Sequence, residues 1–255
     1  ATVVVMAFVR FPSGPALEIL SVIFVPPANA AEAIIEAVDA KVGLVVCVTE
    51  RIPVLDMVRV RSYMAKSETV LVGPNSPGVA VPGLGTLGIM PQGIFLPGKI
   101  GIVSRSSTLT YEAVDQTTRN GLGQSSCVGI GADPVGGISV SQCLELFMED
   151  EQTKGIVLIG EVGGTAEENA ATFLSSLDNT KPVVAYIAGQ TVQEGRRMGH
   201  AGTIIHYGMG TARTKIDALR EAGVSVVFSP VDIGSTMAKC LGQQISAPRD
   251  TGVEY

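Results

Sequence analysis

The sequence predicts an α/β protein built from two successive parallel-sheet units, and three observations carry that prediction. Short β-branched runs such as Leu44-Val-Val-Cys-Val48 and Gly155-Ile-Val-Leu-Ile-Gly160 are apolar at successive positions, as strands covered on both faces require. Segments of helical period alternate with these runs, which is the pattern of βα units. An interval rich in proline, Gly73 to Gly98 with Pro74, Pro77, Pro82, Pro91 and Pro97, separates one series of units from the other.

The first unit is assigned to residues 1–97. Ala1 to Val9 reads as a strand, because Val-Val-Val favours extended backbone and the basic start of a signal peptide is missing. Ser21–Val25 is a strand, and Asn29 is placed to cap a helix through Ile34, Ile35 and Val38, with Glu32 at the capping-box position and Gly43 as its stop. Leu44–Val48 resumes the sheet, a helix follows Pro53, and Thr69–Val72 is a further strand. This half reads as Rossmann-like. Gly83-Leu-Gly-Thr-Leu-Gly88 matches the G-x-G-x-x-G dinucleotide pattern in form, but Ile89-Met-Pro91 interrupts the helix which that fingerprint needs, so the match reads as accidental.

The second unit, residues 98–255, carries strand-like runs at 100–104, 126–130, 155–160, 182–188 and 224–229, each followed by a loop and a helical segment. Five βα units predict a flavodoxin-like domain. Thr165-Ala-Glu-Glu168 reads as a capping box ahead of Ala170, Phe173 and Leu174, while Ile216 and Leu219 mark the apolar side of a helix ending before Gly223.

Composition excludes several function classes. A chain of 255 residues that is 46% hydrophobic has material for a sizeable core, and a net charge of −6 without a basic stripe argues against nucleic acid. The cysteines, Cys47, Cys127, Cys143 and Cys240, are too scattered for a disulfide framework or a metal set, so a reducing compartment and no bound metal are expected. No apolar run has the length of a membrane span, and the chain reads as soluble.

Ligands of open α/β sheets collect beyond the carboxyl ends of the strands, and three loops there hold polar chemistry. Ser104-Arg-Ser-Ser-Thr108 opens a helix, where free N–H groups at Ser106, Ser107 and Thr108 suit an anion; simple capping by Ser106 or Ser107 is the alternative. Glu161 stands at a strand end before Gly163 and Gly164, where a carboxylate can fix an imidazole tautomer. His200 lies in Gly195-Arg-Arg-Met-Gly-His-Ala-Gly202, among small residues and fixed positive charge; the alternative is an exposed loop histidine. Loops that follow strands of one parallel sheet meet at one edge, so these groups are expected together, as a histidine that takes a phosphoryl group requires. No G-x-S-x-G elbow and no Walker A sequence occurs, so any nucleotide is expected on another polypeptide.

From Ser21 to about Gly242 the chain resembles the α subunit of succinyl-CoA synthetase (succinate–CoA ligase). The stretches that carry the resemblance are Val25-Pro-Pro27, Thr49-Glu-Arg-Ile-Pro53, Gly73-Pro-Asn-Ser-Pro-Gly78, Ser104 to Glu112, Gly160-Glu-Val-Gly-Gly164 and Gly195 to Gly202. ATP-citrate lyase carries a related module. The resemblance implies that His200 is phosphorylated, that Glu161 is its partner, and that Ser106, Ser107 and Thr108 begin the helix that holds the phosphate. It implies coenzyme A in the N-terminal part, at Val25, Pro26, Pro27, Thr49, Glu50, Asn75 and Pro77. It further implies a β subunit carrying nucleotide and Mg²⁺, and a place in the mitochondrial matrix in a eukaryote or the cytoplasm in a bacterium. The family's opening glycine-rich CoA loop has no counterpart in residues 1–20, and Arg51, Ser107 and Ser76 stand where it usually has glycine, glycine and cysteine. The alternatives are a relative that keeps the fold and the partner interface without binding CoA, and an α/β binding module without phosphoryl chemistry. His206, where the family usually has a glycine- and lysine-bearing turn, is expected to be a loop substitution rather than a second catalytic group.

Overall fold

The computed structural model describes residues 4–10, 17–178, 180–191, 199–200, 202–203 and 210–243. A four-stranded sheet comes first, in the order β1 (Val4–Arg10), β2 (Leu17–Ile23), β3 (Leu44–Cys47) and β4 (Val70–Val72). β1 pairs antiparallel with β2, and β2, β3 and β4 run parallel. Helices α1 (Pro27–Asp39) and α2 (Val54–Met64) cover one face, burying Ile34, Val38, Met57 and Val60 against Ile23, Val45 and Leu71.

The helix expected from Asn29 starts earlier. Pro26 is the N-cap and Pro27 the first helical residue, with no side-chain capping bond; proline already holds the backbone angle a first turn needs and has no N–H to leave unpaired. Glu32 reaches Arg59 of α2 instead of the backbone. The helix ends at Asp39 with Ala40 as its C-cap, and Lys41 rather than Gly43 stops it: Lys41 takes the left-handed conformation, φ 55, while Lys41 N–H bonds Val38 O and Val42 N–H bonds Ala37 O, which satisfies the last carbonyls.

The second sheet has seven strands in the order β11-β10-β9-β7-β8-β5-β6. These are β5 (Gly78–Val81), β6 (Gly85–Gly88), β7 (Pro97–Ser104), β8 (Gln124–Gly129), β9 (Gly155–Glu161), β10 (Val183–Ala188) and β11 (Ser225–Val227). From β7 to β11 all pairings are parallel, and their order is the flavodoxin-like 2-1-3-4-5. Successive residues of the inner strands face opposite layers. Val103, Leu158 and Ala185 pack with α4 (Val140–Glu149), α5 (Ala166–Ser175) and α6 (Ala212–Glu221). Ile102, Val157 and Val184 pack with α3 (Ser107–Arg119) and α7 (Ile233–Cys240).

The stretch rich in proline holds a hairpin. β5 and β6 pair antiparallel, and β5 joins the second sheet along β8. Gly83, Gly85 and Gly88 of the G-x-G-x-x-G match therefore form a turn and a returning strand, with no helix after them. Gly78 is required at the crossing, because a Cβ there would lie 2.0 Å from the Leu87 carbonyl oxygen.

The two sheets are fastened to each other at β4. Val22, Val46 and Val72 pack against Val79, Leu87, Val128 and Ile138. Ile138 N–H donates to Leu71 O at 2.7 Å and Gly137 N–H to Gly73 O at 2.8 Å. This contact sets the loops after β2, β3 and β4 beside the loops of the second sheet.

Candidate active site

β7 and β9 are adjacent, and their carboxyl ends flank the point where the strand order reverses. β9 is buried along its whole length and delivers Glu161 at its last position. Arg105 follows β7 directly, and Ser106 caps α3, accepting from Leu109 N–H. Ser106 is buried, Ser107 half-buried and Thr108 exposed. Capping takes up the Ser106 hydroxyl, and the N–H groups of Ser107 and Thr108 are those a helix leaves without an internal acceptor.

His200 meets Glu161. Its Nδ1 lies 2.7 Å from Glu161 Oε2, and the imidazole is 39% exposed whereas the carboxylate is 5% exposed. With Nδ1 engaged by the carboxylate, Nε2 is the nitrogen free to accept. Thr203 Oγ1 donates to His200 O at 2.7 Å, fixing the loop after the ring. Gly195, Arg196, Arg197 and His206 lie outside the described residues.

Behind Glu161 stands a layer of charge that the sequence reading did not single out. Arg105 Nη2 lies 3.3 Å from Glu161 Oε1, and Nη1 donates to Glu167 Oε1 at 3.0 Å and to Gly163 O at 3.3 Å. Glu167 Oε1 also accepts from Glu161 N–H at 3.1 Å, and its other oxygen pairs with Lys215. The expected Thr165 capping box does not form: Thr165 is the N-cap but makes no side-chain capping bond, and Glu168 pairs with Lys215 at 3.2 Å. A signal for these residues is present in the sequence. Glu167 falls on the stripe of Ala170, Ala171 and Leu174, and Lys215 on that of Ala212, Ile216 and Leu219, and a charge on a buried stripe needs a buried partner.

The field follows from burial. Burial raises the Glu161 carboxyl above its ordinary range, although Arg105 and His200 pull it down. Burial would raise Glu167 as well, but Arg105 and Lys215 outweigh it and hold that carboxyl below its ordinary range. Asp133, on the loop after β8, is raised by burial and by Glu50 against the opposing pull of Asn75 and His200.

The residues expected at coenzyme A form a second group. Thr49 Oγ1 donates to Val25 O at 2.6 Å, and Asn75 N–H donates to Thr49 O at 2.9 Å, so the loops after β2, β3 and β4 lie together. Pro26, Pro27 and Glu50 are exposed, and Pro77 is buried against Gly129. Asn75 Nδ2 reaches Asp133 Oδ1 at 3.2 Å, which ties this group to the second sheet's loops. Ser76 donates to Gly129 O and accepts from Gly78 N–H, a structural use of its hydroxyl. A cleft of about 620 Å³ opens beside Arg105, lined among others by Gly131, Asp133, Ser139, Thr165 and Gly202. The larger groove, about 1240 Å³, lies along Asp39 of α1, Leu55 and Tyr63 of α2, and Lys66 just beyond α2, with no lining residue in common with this site. Among the described residues no group of three or more His, Cys, Asp or Glu side chains is arranged to hold a metal ion. Nor is any described helix long and apolar enough to cross a membrane.

A CoA-ligase family model matches residues 103–225, and a CoA binding domain model matches residues 15–51. The chain is 56% identical over 223 residues to the succinate–CoA ligase [ADP-forming] subunit alpha of Aquifex aeolicus, covering 87% of this chain and 73% of that protein. The chain belongs to the succinate–CoA ligase alpha subunit family. The Staphylococcus aureus protein of the same name is 50% identical over 234 residues, covering 92% of this chain and 75% of that one. A structure of Methanosaeta concilii ATP citrate lyase in complex with (3S)-citryl-CoA superposes with a TM-score of 0.78 at 24% identity. It covers 98% of this chain, which spans 46% of the lyase, so that likeness speaks for the fold. The family shows the ligase reading and the two-part α/β fold, and favours them over a non-catalytic relative.

Proposed function

We propose that this chain is the phosphohistidine-bearing subunit of a succinate–CoA ligase, which with a β subunit interconverts succinyl-CoA, phosphate and ADP with succinate, CoA and ATP. The observation that carries the reading is the 2.7 Å bond between His200 Nδ1 and the buried Glu161 carboxylate. It leaves Nε2 as the ring nitrogen not engaged by the carboxylate, at a partly open ring beside the end of β9, whose neighbour β7 leads into helix α3. The similar proteins of Aquifex aeolicus and Staphylococcus aureus are ADP-forming ligases, which supports the choice of nucleotide.

The steps follow from that geometry. CoA leaves as phosphate attacks the succinyl thioester, giving succinyl phosphate. Nε2 of His200 then attacks the phosphorus, and the P–O bond to succinate breaks. Positive charge that develops on the ring is stabilised by Glu161, and the phosphoryl oxygens meet the free N–H groups of Ser107 and Thr108 at the positive end of α3. The phosphoryl group passes finally to the nucleoside diphosphate, which with Mg²⁺ resides on the β subunit. CoA lies along Val25 to Pro27, Thr49, Glu50, Asn75 and Pro77. By the same family likeness the enzyme works in the tricarboxylic acid cycle, in bacterial cytoplasm or the mitochondrial matrix.

The test pairs the chain with a β subunit and γ-³²P-ATP. Acid-labile, base-stable label on His200, absent from His200→Asn, is the expected result. Label that persists in His200→Asn overturns the assignment. Titration calorimetry of CoA on the same complex tests the CoA loops separately.

A further inference from the structure

Four charged side chains stand in a line behind the exposed ring, with alternating sign. Lys215 pairs with Glu167, Glu167 with Arg105 at 3.0 Å, Arg105 with Glu161 at 3.3 Å, and Glu161 with His200 at 2.7 Å. The far end of the line is the deepest: Lys215 and Glu167 are both wholly buried. Fold stability does not account for them, since a buried ion pair replaced by apolar groups of like volume is often neutral or stabilising. Position does account for them. Glu167 holds the Glu161 backbone N–H with the same oxygen that holds Arg105, and Arg105 holds both a carboxylate oxygen of Glu161 and the Gly163 carbonyl. Glu161 thus has its main chain and its side chain fixed by one unit.

We propose that Lys215 and Glu167 are positioning residues which, through Arg105, fix the Glu161 carboxylate against His200 and together set the electrostatic field at that pair. Its consequence for catalysis rests on the phosphohistidine reading above. The two positive charges balance the two negative ones, and the balance sets how readily the Glu161–His200 pair takes up a proton. Without Lys215, Arg105 is drawn to Glu167 and the pair sits in a more negative field. Both members then hold protons to higher pH, and less of the ring is a neutral acceptor at a given pH. Without the Glu167 charge the field becomes more positive and both release protons more readily. Among the described residues the other charges near the pair are Glu168, 3.2 Å from Lys215, and Asp133 with Glu50 beyond it; Asp133 and Glu50 are common to every variant below.

The experiment compares Lys215→Met, Glu167→Gln and Glu168→Gln, the last on a partly exposed side chain, in the full chain. The sequence has two histidines, so His206→Gln as background leaves His200 as the sole imidazole for ¹H–¹³C NMR titration. Lys215→Met is expected to move the ring titration to higher pH, and Glu167→Gln and Glu168→Gln to lower pH. With a β subunit, Lys215→Met should slow phosphorylation of His200 about tenfold or more near neutral pH and displace its acid limb upward. Thermal melting selects the variants that fold, and any one folded variant carries its own sign. Unmoved titrations, or shifts of one direction in Lys215→Met and Glu167→Gln alike, overturn the proposal and leave the pair as packing. If the unsubstituted chain takes no label while the titrations shift in opposite directions, the charge layer stands and the phosphohistidine reading fails.

Discussion

Nδ1 of His200 and Oε2 of Glu161 are 2.7 Å apart across a sequence separation of 39 residues. The pair exists because β9 and β10 are parallel neighbours, so that His200, which follows β10 in the chain, comes to the end of β9. A carboxylate in this position fixes which ring nitrogen is free, and Glu161→Gln is expected to lose that control. It should lower the rate of phosphorylation of His200 by two to four orders of magnitude, as loss of a ring-orienting carboxylate does elsewhere, while leaving CoA affinity unchanged by calorimetry.

The pH dependence of stability has opposite signs at the two carboxylates. Glu167 is held below its ordinary range, so the unfolded chain binds the proton more tightly. Its contribution is present above that range and is lost as pH falls through the folded value. Glu161 is raised, so its contribution declines as pH rises through the ordinary range toward the folded value. Urea unfolding at stepped pH is expected to show a steeper acid loss in the unsubstituted chain than in Glu167→Gln, and a shallower one than in Glu161→Gln.

Gly137 guards the contact between the two sheets. A Cβ there would fall 1.9 Å from the Leu71 carbonyl oxygen, where the neighbouring N–H of Ile138 bonds. Gly137→Ala is expected to cost about 2–3 kcal/mol or more, since the clash is with backbone and cannot be relieved by a rotamer change. Thermal denaturation and limited proteolysis between residues 73 and 98 provide the measurement.

Arg51 is in the left-handed region at φ 61 and its side chain is largely exposed. Glycine carries no steric penalty there, at the expense of greater freedom in the unfolded chain. Arg51→Gly should therefore stabilise the protein by up to about 1 kcal/mol in urea titration.

Thiol chemistry should separate the cysteines. Cys47 and Cys143 are buried, and burial pushes each thiol up to about 12, while Cys127 is buried and raised as well; Cys240 is exposed. A disulfide reagent at pH 8 is expected to label Cys240 in the native chain and all four cysteines after denaturation.

Strand and helix positions were legible because they depend on local pattern. The run at Gly155–Gly160 gave β9 to within a residue, and Gly223, with φ 81, follows α6 as its spacing predicts. The β5–β6 hairpin was not legible, since its glycines and prolines serve a pairing partner, β8, that lies far along the chain. The cap misplaced at Asn29 and the capping box that does not form at Thr165 failed for a related reason. Glu32 and Glu168 found cations on other helices, Arg59 and Lys215, and those competed successfully with the local backbone donors.

By itself the sequence determined the alternation of strand and helix, the two successive sheets, and the three loops whose residue types suit phosphoryl chemistry. All of these rest on composition and periodicity within a few turns of chain. Only the tertiary structure decided that Arg105, Glu167 and Lys215 form one buried line behind Glu161. Each is an ordinary charged residue in its own segment. The line arises because β7 and β9 are adjacent and α5 packs on α6, so that four segments place alternating charge in a space from which water is excluded.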